Sequence, residues 1–199
     1  MLNISVLVSG GGTNLQAIID AIELGGIQDA GIVRIISSNS KAYALQRAKS
    51  HGIKGVVIGK ENYPDPLRRE EALLKELALA KTDLVVLAGY MSILPPSLIR
   101  AYRGRIINIH PSLIPKYCGM GFYGKRVHRA VLAGGETESG ATVHFVDEGV
   151  DSGPILLQGR VPVLPEDTED TLAARVLETE HKLLVQAVKE LAEKHNSAQ

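Results

Sequence analysis

The sequence predicts an α/β fold: a mostly parallel sheet with helices on both faces, antiparallel strands near the C-terminal part and a long C-terminal helix. Three observations carry that prediction. Short, near-continuous apolar runs recur along the chain, helical patterns separate the early ones, and after about residue 140 the runs give way to alternating apolar and polar residues. Continuous apolar runs of strand length fit strands buried on both faces, and their regular exchange with helices fits parallel strands joined by covered crossovers. The pattern as a whole is Rossmann-like.

The first run, ISVLV at 4–8, enters a glycine-rich turn and then the helical pattern NLQAIIDAIEL from Asn14. IVRII at 32–36 precedes KAYALQRAKSHG, which ends on Gly52, a residue suited to a helix C-terminus. GVVI at 55–58 leads to DPLRREEALLKELAL at 65–79, where Pro66 stands in the first turn. LVVLA at 84–88 is followed by the shorter PPSLIRAY, and IINI at 106–109 breaks into a loop. ATVHFV and PILLQGRVPV alternate apolar with polar residues, as an antiparallel pair does. From about Thr168 one long helix runs with acids in its first turn and Lys and His near its end, as the macrodipole favours. The mostly charged stretch 68–76 reads as a solvated helix face.

A chain of 199 residues without repeats or a dividing linker predicts one domain, 1–199. Its 22 Lys and Arg balance 22 Asp and Glu, which removes the basic footprint expected of a nucleic-acid binder. No apolar run approaches the length of a membrane span, and the start MLNISVLVSGGG lacks the basic region of a signal peptide. A lone cysteine, Cys118, has no internal disulfide partner, so the cytoplasm is the expected compartment.

The turn SGGGTNL at 9–15 joins the first strand to the first helix. Small residues there point backbone N–H groups, backed by the helix dipole, at an anion, and Thr13 and Asn14 add side-chain donors. A tight turn without ligand is the plain alternative. The dinucleotide fingerprint fails, because Leu15 stands where a third small residue is needed and Ser37, Ser38 and Asn39 stand where an acid is needed. GMGFYGKR at 119–126 resembles an ATPase phosphate loop but has Arg126 in place of the magnesium-holding Ser or Thr.

Asn108 and His110 are two apart on one strand, so both side chains leave the same face, near the edge where parallel sheets bind ligands. Pro111 holds His110 out of the helical region. An amide donor for an oxyanion and a proton carrier near neutrality suit acyl transfer. Asp151, in the turn EGVDSGP, can pair with His110 or orient a water. His51, His128, His181 and His195 show no ligand spacing, and no metal is expected. His144 reads equally as a packed strand residue or as a partner of the site. Glu180 falls on the apolar stripe of the last helix and needs a partner, either an arginine or ligand hydroxyls. Cys118 lacks a histidine partner and makes a poor nucleophile candidate.

SGGGTNLQAII at the N-terminus, LAGYMSIL at 87–94, NIHPSLIPKY at 108–117 and GATVHFVDEGVDSGPILLQ at 140–158 closely resemble the phosphoribosylglycinamide formyltransferase family, in order and spacing over nearly the whole chain. These are folate-dependent enzymes of purine synthesis. The resemblance implies formyl transfer from 10-formyltetrahydrofolate, as cosubstrate, to the amine of glycinamide ribonucleotide, by a monomer or homodimer. It implies catalytic roles for Asn108, His110 and Asp151. It puts the substrate phosphate on Gly12, Thr13 and Asn14, the ribose hydroxyls on Glu180, and Pro111 on the substrate side. Folate contacts are implied from backbone at Ser92, Leu94, Val146 and the loop of Asp147, Glu148, Gly149, Val150 and Asp151, with Met91 and Ile93 as apolar walls and Arg69 toward the glutamate tail.

Two departures stand out. CGMGFYGKRVHRAV follows Tyr117 where many members pass through Pro-Gly to a short helix, so a loop is expected at 118–127; and Leu177 occupies a position where some relatives carry a polar or basic phosphate contact. The nearest alternative is formyltetrahydrofolate deformylase, a hydrolase with a similar core and an extra N-terminal domain. Methionyl-tRNA formyltransferase also shares the core, but carries a C-terminal tRNA-contacting domain and a basic surface.

Overall fold

The computed structural model describes residues 1–197, so the last two positions of the expected 1–199 domain lie outside the described residues. The first half runs β1 (Leu2–Val8), α1 (Thr13–Glu23), β2 (Ala30–Ser37), α2 (Ala44–Ser50), β3 (Gly55–Val57), α3 (Pro66–Leu79) and β4 (Leu84–Leu87). It continues through α4 (Pro96–Ala101), β5 (Ile106–His110), α5 (Lys125–Ala133), β6 (Glu138–Phe145), β7 (Ile155–Pro162) and α6 (Glu169–Ser197). The strands form one seven-stranded sheet in the order β3-β2-β1-β4-β5-β6-β7. The first five are mutually parallel; β6 runs antiparallel to β5, and β7 to β6.

Strand parity divides the core in two. Val6, Val86 and Ile107 pack with α1, α5 and α6 residues such as Leu15, Val131 and Leu184, while Leu7, Val85 and Ile106 pack with Leu73 and Leu77 of α3 and Leu98 of α4. Successive side chains on a strand point to opposite faces, so a continuous apolar run feeds both layers at once. Strand order reverses between β1 and β4, the crossing at which an open parallel sheet leaves a crevice outside its carboxyl ends. Ser9 closes part of that edge: its Oγ accepts from the Met91 N–H at 2.8 Å and lies 2.6 Å from Ser38 Oγ, tying together the turns after β1, β2 and β4.

Three sequence expectations are corrected. The segment at 55–58 is not buried on both faces: β3 is a three-residue strand at the sheet edge, half-buried at best. Residues 118–127 are not all loop, because α5 begins at Lys125. Lys125 and Arg126 in a first turn oppose the helix dipole, so this helix depends on tertiary contacts: Val127 and Val131 are buried, and Arg129 and Lys125 reach Glu169 and Asp170 of α6. The stretch 68–76 is not wholly a solvated face either. Glu76 lies 2.8 Å from Arg34 Nε of β2, with side-chain exposures of 17% and 10%. A strand arginine withdrawn from water recruited an acid that helical periodicity assigns to solvent. Among the described residues no helix is long and apolar enough to cross a membrane.

Glu76→Ala leaves the Arg34 guanidinium buried and unpaired, and is expected to destabilise the fold by about 3 kcal/mol, read as a lower urea midpoint. An unchanged midpoint would show that water already neutralises Arg34.

Candidate active site

β5 and β6 build one end of the candidate site. Their antiparallel register sets Asn108 opposite His144 and His110 opposite Thr142, so Asn108, His110 and His144 share one face at the carboxyl edge of β5. The loop after β6 returns Asp151 to that face, with its backbone in the left-handed region at φ 54°. Such a conformation in a non-glycine residue costs on the order of 1 kcal/mol and persists where the surroundings hold it. Here they do: Asp151 Oδ2 accepts the Gly119 N–H at 3.0 Å and lies 3.4 Å from His110 Nδ1, while Oδ1 lies 3.4 Å from Asn108 Nδ2 and 3.6 Å from His144 Nε2. Asp147 Oδ1 accepts from the Gly149 N–H and from Ser152 Oγ, which tightens the loop that carries Asp151.

A carboxylate oxygen 3.4 Å away calls for Asn108 to present its NH2, which also lies 3.1 Å from His144 Nε2. His144 Nδ1 donates to the Phe145 carbonyl at 2.9 Å. His110 Nε2 donates to the Tyr117 carbonyl at 2.9 Å, so its Nδ1 is the nitrogen that faces Asp151. Burial pushes the His110 pKa below its ordinary value, against the pull of the Asp151 carboxylate and the Tyr117 carbonyl, and the His144 ring lowers it further. For Asp151, burial alone would raise the carboxyl; the His144 and His110 rings and the Gly119 N–H outweigh it and hold the acid below its usual range. Cys118 lies beside this site with Sγ 3.3 Å from the Pro115 carbonyl, and burial together with Asp151 pushes its thiol up.

The glycine loop and α6 build a second end. Gly12 caps α1 in the left-handed conformation, where a Cβ would meet the Ala44 Cβ at 2.7 Å, and Thr13 opens the helix. Asn14, 7% exposed, donates from Nδ2 to Glu180 Oε2 at 2.7 Å. Among protein groups the partner of Glu180 is an amide from α1 rather than an arginine. Burial raises the Glu180 carboxyl, and the Asn14 hydrogen bond only partly offsets it. Asn14 Oδ1 is buried without a hydrogen-bond partner. The pair thus presents acceptors, which suits hydroxyl donors, beside helix N–H groups, which suit an anion. Leu177, half-buried on α6, adds no polar atom.

The remaining predicted residues line the same edge less tightly. Met91 and Ile93 are exposed, at 55% and 72%, whereas the Leu94 side chain is buried in the α3–α4 core. Ser92 and Pro111 are half-buried. The Val146 N–H is taken by the Ile106 carbonyl, which leaves only its own carbonyl for a ligand. Glu148 pairs with Arg100 at 3.5 Å, and Val150 is exposed. Arg69 Nη1 donates to the Tyr63 carbonyl, and its charge reaches the buried Tyr90 hydroxyl beside Met91. Sequence reasoning missed the Tyr117 carbonyl and the Gly119 N–H, since main-chain groups carry no residue-type signal, and left His144 open; its place opposite Asn108 makes it a partner of the site.

Fold and site are those of an α/β enzyme whose candidate reacting groups gather at the carboxyl edge of the sheet. The model of the family described as formyl transferase matches residues 2–188. The chain belongs to the formyl transferase family. It is 45% identical over 189 residues to the phosphoribosylglycinamide formyltransferase of Haemophilus influenzae, covering 95% of this chain and 86% of that one. It is also 45% identical over 180 residues to the trifunctional purine biosynthetic protein adenosine-3 of Drosophila melanogaster, covering 89% of this chain but 13% of that much longer one. The crystal structure of glycinamide ribonucleotide transformylase 1 from Symbiobacterium toebii superposes with a TM-score of 0.91 at 41% identity, over 98% of this chain and 89% of that one. A formyltetrahydrofolate deformylase from Pseudomonas syringae superposes with a TM-score of 0.87 at 25% identity, over 97% of this chain and 62% of that one.

A carboxylate favours the charged imidazole, so its removal lowers the His110 pKa. Asp151→Asn is expected to move the His110 titration, followed by nuclear magnetic resonance, to lower pH than in the parent. An unmoved titration would remove Asp151 from the electrostatics of His110.

Proposed function

We propose that this chain transfers the formyl group of 10-formyltetrahydrofolate to the amine of glycinamide ribonucleotide, giving formylglycinamide ribonucleotide and tetrahydrofolate in de novo purine synthesis. The observation that carries the reading is the meeting of Asn108, His110 and Asp151 at one sheet edge, in a chain of the formyl transferase family. The neutral amine attacks the formyl carbon, the carbonyl electrons move to oxygen, and the carbon–nitrogen bond to the folate breaks. Asn108 Nδ2 donates to the oxyanion, exchanging this for its contact with Asp151 or His144. His110 in its imidazolium form, which the facing Asp151 carboxylate favours against the burial that opposes it, stands beside the oxyanion as a positive charge and neither gains nor loses a proton in the transfer. The proton lost by the attacking nitrogen reaches the leaving folate nitrogen directly or through a water held by Asp151.

Gly12, Thr13 and Asn14 bind the phosphate, Glu180 the ribose hydroxyls, and Pro111 flanks the substrate. The folate takes the backbone of Ser92, Leu94, Val146 and residues 147–151, with Met91 and Ile93 against its apolar parts and Arg69 toward its acidic tail. The reading needs neither metal, nucleic acid nor membrane, and it carries with it a single 1–199 domain acting in the cytoplasm as a monomer or homodimer. The deformylase alternative uses the same three side chains on water. The buried Asn14–Glu180 pair beside the glycine loop favours the transferase, since a hydrolase has no ribonucleotide to hold.

Tetrahydrofolate release is expected only when glycinamide ribonucleotide is present, with the formylated ribonucleotide identified by mass; equal release in water alone would make the chain a deformylase. Asn108→Ala is expected to lose about 10²- to 10³-fold in turnover, as the loss of one oxyanion donor does. Near-normal turnover would take Asn108 out of that role.

A further inference from the structure

We infer that Arg47 is a positioning residue for the ribonucleotide phosphate, acting through the peptide units of the glycine loop rather than by touching the anion. The inference rests on the phosphate site proposed above and names the group outside that site which shapes it. Two donors from the α2 region hold the loop by its carbonyls: the Ala44 N–H on Gly10 O at 3.1 Å, and Arg47 Nε on Gly11 O at 2.9 Å. In a trans peptide the N–H points opposite the carbonyl of the same unit. Carbonyls 10 and 11 drawn toward α2 therefore turn the N–H groups of Gly11 and Gly12 the other way. The Gly12 carbonyl accepts the Gln16 N–H at 2.9 Å, which likewise directs the Thr13 N–H out of the start of α1. Among the described residues these three N–H groups have no acceptor, and together they form an anion-binding concavity.

Arg47 is itself fixed by a run of hydrogen bonds along α1. Its Nη1 donates to Gln16 Oε1 at 2.9 Å, so the Gln16 amide turns its NH2 to Asp20 Oδ1 at 2.7 Å and to His51 Nε2 at 3.1 Å. His51 then holds its proton on Nδ1, 2.7 Å from Glu23 Oε1. The guanidinium also lies 5.0 Å from the centre of the Tyr43 ring. A cation on the Gly11 carbonyl does more than orient the peptide. It polarises the unit and makes the Gly12 N–H on the far side a stronger donor. The two-atom fork, Nε to the loop and Nη1 to Gln16, is a geometry that a lysine ammonium lacks.

The test compares Arg47→Ala, Arg47→Lys and the milder Gln16→Leu with the parent, using steady-state kinetics, inorganic phosphate as a competitive probe against the ribonucleotide, and thermal unfolding. Arg47→Ala is expected to raise the KM for the ribonucleotide and the inhibition constant of phosphate by about tenfold each, the scale of one charge-assisted hydrogen bond, while kcat and the KM for the folate hold. Arg47→Lys is expected to resemble Arg47→Ala, and Gln16→Leu to show a smaller rise of the same kind. A ribonucleotide KM unchanged in Arg47→Ala would overturn the inference. Full recovery by Arg47→Lys would also overturn it, leaving charge alone. So would a fall in kcat and thermal stability without the KM split. A parent enzyme on which phosphate does not compete would instead overturn the phosphate site, and the role of Arg47 with it.

Discussion

The Asp151 carboxylate, largely withdrawn from water, must replace the hydration it loses, and it does so with groups drawn from three other segments. Asn108 and His110 come from β5, His144 from β6, the Gly119 N–H from the loop after Tyr117, and Asp151 itself from the loop between β6 and β7. Since no single segment supplies the full set, satisfying one charge fixes the positions of all four. The left-handed backbone at Asp151 is sustained by this arrangement, and so is the orientation of the Asn108 amide. A buried carboxylate is thus as much a structural joint as a chemical group.

The sheet places that joint at a set distance from the glycine loop. Both lie at the carboxyl edge, on either side of the reversal of strand order between β1 and β4, and Ser9 fastens the intervening turns to one another. On the proposed function, a phosphate held at the glycine loop takes no part in the chemistry at the other end; its binding free energy fixes the amine near the formyl carbon and makes the attack effectively intramolecular. Buried branched residues on both faces of the strands keep that spacing from relaxing.

What the sequence revealed follows the range of the interactions concerned. Asn108 and His110 were legible because strand parity is local, and the glycine loop because backbone freedom is a property of the residue itself. The seven-strand plan was legible from apolar periodicity. The pairing of His144 with Asn108 was not, since it depends on the antiparallel register between β5 and β6, two strands separated by α5 and its loop. Helix α5 was missed because its first turn is electrostatically unfavourable and its stability comes from α6, forty residues further along in the case of Arg129 and Glu169. The contact of Glu76 with Arg34 escaped for the same reason: the helix pattern describes a face, whereas the partner came from a neighbouring strand.

Cys118, the single cysteine, stands next to the residue whose N–H holds Asp151, with its thiol pushed up by burial and by that same negative charge. One charge therefore acts in the same direction on two very different neighbours, retaining a proton on an imidazole and retaining one on sulfur. On nitrogen the result is reactivity. On sulfur it is inertness, because the thiolate is the form that attacks carbonyls and is oxidised. On the proposed function, a soft nucleophile thus stands beside the formyl donor in the protonated form that attacks it least.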